Sequence, residues 1–268
     1  VPIDNTPLDA SALDLTGKVA VVTGAARGLG AGVALALGRC GAQLAICDRL
    51  DLSETVSQLS TPPVESTIDV RDAAAVAGFA EAVGDRFGGI DILVNNAGGV
   101  FHSSFLDISP KGEATLVAEN FTSVTLMIRA FVPLMRGGGS IINVTSVEAF
   151  RAAPGFGIYA AMKAAVENLS KTLALEFAPR GIRVNTLAPD AIPTPGDEAM
   201  SDEVSRGERL SYEKKVPLGF GTADDFAGAA LFLASPLSRF LTGTTLHIDG
   251  GSSAASGWEQ REDGTYSP

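Results

Sequence analysis

Tyr159 and Lys163 lie four residues apart, and Ser146 lies thirteen residues before the tyrosine. A hydroxyl, a phenol and an ammonium group in this arrangement can hold a substrate oxygen and move a proton on or off it. Tyrosine alone is a poor base near neutrality, because its free pKa is about 10. A lysine one helical turn further on stands on the same face and favours the phenolate. Lowering the tyrosine pKa by about three units requires roughly 4 kcal/mol of differential stabilisation.

Far upstream, Thr23-Gly24-Ala25-Ala26-Arg27-Gly28-Leu29-Gly30 joins an apolar run to an amphipathic one. Glycines there let the backbone turn tightly and approach a pyrophosphate. The following helix start offers free amides and a partial positive charge, so the segment reads as a dinucleotide seat. The spacing is Gly-x-x-x-Gly-x-Gly. Asp48 ends the second strand pattern, eighteen residues after Gly30. A carboxylate there accepts bonds from ribose hydroxyls and repels a 2′-phosphate, so NAD is expected over NADP. Arg27 and Arg49 are the counterweights, since either can pair with a 2′-phosphate. Asp69, followed by Val70, closes the third strand pattern, where its side chain can bond an adenine amino group. Asn95-Asn96-Ala97-Gly98 closes the fourth, with small residues that let a cofactor pass close to the backbone.

The elements that position these groups follow from patterning. Continuous apolar runs at 19–23, 44–47, 92–95, 140–144, 183–187 and 245–248 read as strands buried on both faces. Between them lie helical stripes such as Val76, Phe79, Ala80, Val83 and Phe87, and Val166, Leu169, Leu173 and Phe177. Gly41, Gly88 and Gly181 follow such stretches, where a helix end wants a left-handed residue. Strand and helix in alternation predict an α/β fold, a doubly wound parallel sheet of Rossmann type with helices on both faces. The chain divides into an N-terminal arm at 1–16 expected to lie on the surface, one catalytic domain at 17–251, and a small, polar tail at 252–268. The polar stretch 193–217 is expected to be a flap over the substrate.

Composition narrows the function. Hydrophobic residues make up 46% of 268 and charged residues 19%, a balance that suits one large core and argues against disorder. A net charge of −11 opposes nucleic-acid binding. Two cysteines, Cys40 and Cys47, and two histidines, His102 and His247, make a disulfide framework or a His/Cys metal centre improbable, and no metal is expected. No apolar run approaches a membrane span, and the chain reads as a cytoplasmic protein.

From roughly Lys18 to Gly251 the chain resembles the short-chain dehydrogenase/reductase family. The matching residues are Thr23 to Gly30, Asp69-Val70, Asn95 to Gly98, Asn120, Ser146, Tyr159 with Lys163, Asn185, Pro189, Thr194, and Asp249-Gly250-Gly251. The resemblance implies a single seven-stranded sheet and a homotetramer formed through long helices near 112–135 and 159–178. It implies that Tyr159 is the general acid/base, that Lys163 also holds the nicotinamide ribose, and that Ser146 holds the substrate oxygen. It further implies that Asn120 anchors a proton-relaying water, and that Pro189 and Thr194 belong to the stretch covering the nicotinamide amide, with Ile192 among the cofactor-binding candidates. The chain departs from the family at three places. Asn120 sits in Ala-Glu-Asn-Phe rather than a valine-asparagine-leucine context, Asp190 stands where glycine is common, and Phe220 stands where arginine is common.

The resulting expectation is NAD-dependent hydride transfer to or from a secondary alcohol or ketone. Val100, Phe101, Val147, Glu148, Phe150, Phe156, Asp190 and Ile192 are the pocket candidates. Phenylalanines there suit an apolar substrate, whereas Glu148 suits a polar or cationic group. An NADP-dependent 3-oxoacyl-carrier-protein reductase is the nearest alternative, opposed by Asp48 and by the acidic surface. A non-catalytic dinucleotide-binding sensor is the alternative of another class, opposed by the intact Ser146, Tyr159 and Lys163.

Overall fold

The computed structural model describes residues 7–195, 212–261 and 263–267. Its strands form where the sequence is apolar on both faces. β1 (Val19–Thr23) is buried at every position, as is β4 (Ile92–Asn95). With β2 (Gln43–Asp48), β3 (Val64–Thr67), β5 (Gly139–Val144), β6 (Ile182–Pro189) and β7 (Thr245–Ile248) they make a seven-stranded sheet in the order β3-β2-β1-β4-β5-β6-β7. All six neighbouring pairs are parallel.

The pleat sends alternate residues to opposite faces. Ala20 and Val22 join one buried cluster, under α1 (Gly28–Arg39) and a later helix, with Val33, Leu37, Phe226 and Leu233. Val19 and Val21 join the other, with Phe79, Val83, Met127, Phe131 and Val166. That second face is covered by α3 (Ala73–Phe87), α5 (Ser123–Phe131) and α6 (Gly157–Phe177), which come after the short α2 (Ser53–Ser57) and α4 (Pro110–Val117). α7 (Ala223–Ala234) and α8 (Ser252–Ala255) follow later in the chain.

Helix ends follow local chemistry. Asp72 caps α3 by accepting the amides of Ala74 and Ala75, and Gly88 ends it at φ 75°. Thr222 and Asp225 form a reciprocal capping box at α7. Between α4 and α5 the chain widens into a π turn at Ala118–Thr122. An extra residue per turn lifts one side chain out of the regular helical row, and Asn120 lies in this turn.

The N-terminal arm departs from expectation. The arm at 1–16 is not merely laid on the surface, because Leu15 is 1% exposed and belongs to the first core cluster. The small, polar tail has regular structure of its own. It forms α8 and a two-stranded antiparallel hairpin, β8 (Glu259–Gln260) with β9 (Tyr266–Ser267). No helix among the described residues is long and apolar enough to cross a membrane.

Candidate active site

In the strand order, β1 is flanked by β2 on one side and β4 on the other, so the chain reverses its direction of winding there. In such sheets ligands bind outside the carboxyl ends of the strands, at that reversal. The glycine turn lies there. Gly24 and Gly28 adopt φ of 67° and 61°, which side-chain-bearing residues rarely take. A Cβ at Gly30 would collide with the carbonyl oxygen of Gly24. The backbone therefore packs closely against itself at this turn.

Two contacts brace this turn. Thr23 Oγ1 accepts the amides of Asn96 at 3.0 Å and Ala97 at 2.9 Å, while Asn96 Nδ2 donates to the carbonyls of Thr23 and Gly24. Asp48 Oδ2 accepts the amide of Ala26 at 2.9 Å, and Oδ1 accepts that of Leu50 at 3.0 Å. Each carboxylate oxygen retains a further acceptor position, which suits ribose hydroxyls. Thr194 passes over Gly28, within 3.4 Å of where its Cβ would be. Ile192 packs beside Gly221. Arg27 precedes α1, with its side chain exposed. Leu29 and Val70 each pack against a core cluster.

The adenosine end differs from the sequence reading. β3 ends at Thr67, two residues before Asp69. The Asp69 carboxylate is engaged by Arg71, whose Nε lies 2.9 Å from both of its oxygens and whose Nη2 lies 2.6 Å from Oδ2. The hydrogen bond from Arg71 holds the Asp69 carboxyl below its ordinary range. Arg71 Nη1 also donates to Glu119 Oε1 at 3.0 Å, and Arg49 reaches the same oxygen at 3.6 Å. Sequence reasoning gave no role to Arg71 or Glu119. A lone ion pair across 48 residues leaves no local signature.

Two of the catalytic candidates stand side by side. Tyr159 and Lys163 lie one turn apart on α6, and the Lys163 ammonium stands 5.5 Å from the centroid of the Tyr159 ring. Lys163 is 5% exposed and donates to the carbonyl of Val144, the last residue of β5, at 3.0 Å. Burial lowers its pKa to about 8. Ser146, 7% exposed, follows two residues after that strand. Its Oγ accepts the amide of Glu148 at 3.2 Å.

Asn120 is 1% exposed. Its Nδ2 donates to the carbonyls of Gly99 at 2.7 Å and Leu116 at 3.0 Å. A Cβ on Gly98 would lie 2.9 Å from Asn120 Oδ1 and 3.4 Å from Lys163 Nζ. The amide oxygen and the ammonium group thus face the same point beside Gly98, despite the unusual sequence around Asn120.

The pocket candidates separate. Phe101 and Phe156 line a shallow depression with Ile108, Leu116 and Ile158. Val147 is 1% exposed within the core. Phe150 does not join the depression; its ring packs edge-on against His247 at 4.9 Å. Glu148 and Asp190 both contact Arg151, which the sequence reading had passed over. Tyr212 also bonds Asp190. Burial and the nearby Asp190 carboxylate push the Tyr212 phenol above its ordinary range, so it remains a donor. The proposed flap falls largely on 196–211, outside the described residues.

Comparison with known proteins agrees with this architecture. The family profile described as Enoyl-(Acyl carrier protein) reductase matches residues 24–253. The chain is 37% identical to the 2,5-dichloro-2,5-cyclohexadiene-1,4-diol dehydrogenase LinX of Sphingobium indicum over 88% of its own length and 96% of that protein. Carveol dehydrogenase from Mycobacterium avium, solved in complex with NAD, superposes with a TM-score of 0.83 at 29% identity, covering 90% of this chain and 99% of that one. An Agrobacterium tumefaciens protein solved with bound NADP gives the same TM-score at 30% identity, covering 90% and 98%. The chain belongs to the short-chain dehydrogenase/reductase family and is an oxidoreductase acting on CH–OH groups.

Proposed function

We propose that the protein is an NAD-dependent dehydrogenase or carbonyl reductase that uses Tyr159 as general acid/base on a secondary alcohol or ketone. The observation that carries this reading is the placement of Lys163. Its ammonium is buried, anchored to the end of β5 and beside the Tyr159 ring. A positive charge there favours the phenolate, which takes the carbinol proton during oxidation and returns it during reduction. Ser146 hydrogen-bonds the substrate oxygen and steadies its developing charge. Asn120 and Lys163 hold between them the path by which the proton leaves. When bound, the nicotinamide ring accepts or supplies the hydride.

The residues fit such a nucleotide. The turn at Gly24–Gly30 is closed by its own backbone and opens onto the start of α1. Asp48 at the end of β2 supports NAD, because a 2′-phosphate would meet its carboxylate. Arg49 is drawn toward Glu119, which leaves it less available to a phosphate. Solved relatives hold either nucleotide, so the preference rests on these residues.

Initial rates with NAD and with NADP across a panel of secondary alcohols, beside a Tyr159→Phe control, test the reading. We expect NAD-linked turnover that Tyr159→Phe removes. Turnover insensitive to that change would overturn the acid/base assignment. We further propose a homotetramer, which equilibrium sedimentation tests directly.

A further inference from the structure

Glu148 and Asp190 meet on one guanidinium. Arg151 Nη2 donates to Glu148 Oε1 at 2.9 Å and to Asp190 Oδ2 at 3.0 Å, and Nε donates to Glu148 Oε2 at 3.3 Å. Asp190 is fully occupied. Its Oδ2 also accepts the Ser252 hydroxyl at 2.5 Å, and its Oδ1 accepts the Tyr212 phenol and the Ala191 amide. Four donors fill the acceptor capacity of a carboxylate, and the side chain is only 12% exposed. Asp190 therefore joins the end of β6 to the loop after β5, to Tyr212, and to α8.

This knot stands beside the catalytic serine. β5 and β6 pair in parallel with Val144 opposite Leu187, so Ser146 and Asp190 emerge from adjacent strands at one end of the sheet. Glu148 is bonded to Ser146 through its own amide.

The Glu148–Arg151 half is less enclosed, with side chains 23% and 38% exposed. Each Glu148 oxygen takes one of these Arg151 bonds and has room for a second donor. Arg151 Nη1 takes part in none of these three bonds, so the pair offers an acceptor and a donor side by side, the complement of a hydroxyl group. Two carboxylates against one guanidinium leave a local net charge of −1, on a chain of −11, so an anionic group gains little there.

Resting on the carbinol-oxidising reading above, we propose that Glu148 and Arg151 determine specificity by binding a second, uncharged hydroxyl next to the reacting carbon, with Asp190 as the positioning residue. A guanidinium already fixed by two carboxylates loses little freedom on binding.

The test compares kcat/KM for trans-cyclohexane-1,2-diol, cyclohexanol and 2-hydroxycyclohexanecarboxylate in the parent enzyme, Arg151→Met and Asp190→Asn. Nucleotide titration of each variant confirms that it is folded. The parent should favour the diol over cyclohexanol by at least about tenfold, since a site built for a hydroxyl discriminates against its absence. Arg151→Met should bring the ratio within about threefold of unity, mainly through KM for the diol. Asp190→Asn should lower the ratio by a smaller factor. A parent ratio near one, equal losses on both alcohols in Arg151→Met, or a preference for the carboxylate would each overturn the proposal. So would failure to oxidise either alcohol in an enzyme that turns over other members of the panel. A Tyr159→Phe enzyme that still oxidises both would instead fault the acid/base reading.

Discussion

The Lys163 ammonium donates to the carbonyl of Val144 at 3.0 Å, tying α6 to the end of β5. The bond fixes the charge beside Tyr159 and two residues ahead of Ser146. It also places a cation where little water reaches it.

That burial has a pH signature. The folded-state pKa of Lys163 is lowered to about 8 from 10.5, by desolvation. Between these values the unfolded chain binds more protons than the folded one, so stability rises with pH through this window. The burial penalty is fully present below about pH 8 and is relieved towards pH 10.5. Denaturant unfolding of the parent and of Lys163→Met at pH 7, 9 and 10.5 measures it. The parent should gain on the variant by up to about 3 kcal/mol across the window. A constant difference would show that the lysine is not desolvated.

The roles of the pair separate by substitution. Tyr159→Phe should reduce kcat by about 10²- to 10⁴-fold, the usual contribution of a positioned acid/base, and leave nucleotide affinity close to that of the parent. Lys163→Ala should harm both, because the ammonium is assigned to both. Rapid-mixing kinetics with calorimetric titration of the nucleotide distinguish these patterns.

Asp48 carries a structural and a selective role. Its carboxylate holds the amides of Ala26 and Leu50, so Asp48→Ala should cost about 1–3 kcal/mol of stability as well as alter nucleotide choice. Asp48→Asn keeps an acceptor and loses the charge. It should narrow the NAD-to-NADP preference by about tenfold, roughly 1.4 kcal/mol, with a smaller change in stability. Equal affinities in the parent would show that Arg27 or Arg49 governs the choice.

Leu15 tests the corrected view of the N-terminal arm. It is fully buried, and its amide also donates to the carbonyl of Cys40 at 2.7 Å. Leu15→Ala should destabilise the fold by about 2–5 kcal/mol. A loss of only a few tenths in denaturant unfolding would return the arm to the surface.

Gly30 makes the turn's close approach testable. Gly30→Ala would press a methyl group onto the carbonyl of Gly24 and the Asn96 side chain. Nucleotide affinity should fall more than tenfold, about 1.4 kcal/mol, and thermal stability should fall with it. Parent-like binding would mean that the turn relaxes freely.

Much of this molecule was determined locally. Strands apolar on both faces, glycines at helix ends and the turn at Gly24–Gly30 depend on residues close in sequence, and their period and backbone freedom are legible in the chain. So was the Tyr159–Lys163 spacing, because a helix fixes which face each side chain takes. Other features required folding. Leu15 looked like part of a polar arm because its burial depends on contacts supplied by distant elements. Asp69 read as open to an adenine, but Arg71 engages its carboxylate and is itself held by Glu119, 48 residues further along the chain. Phe150 gave no sign in the sequence of its contact with the His247 ring on β7. Glu148 and Asp190 read as two separate acids, and only the parallel pairing of β5 with β6 brings them onto Arg151. Sequence fixes short-range geometry through bonded dihedrals and periodicity, whereas charge pairing and burial depend on neighbours that only the assembled sheet brings together.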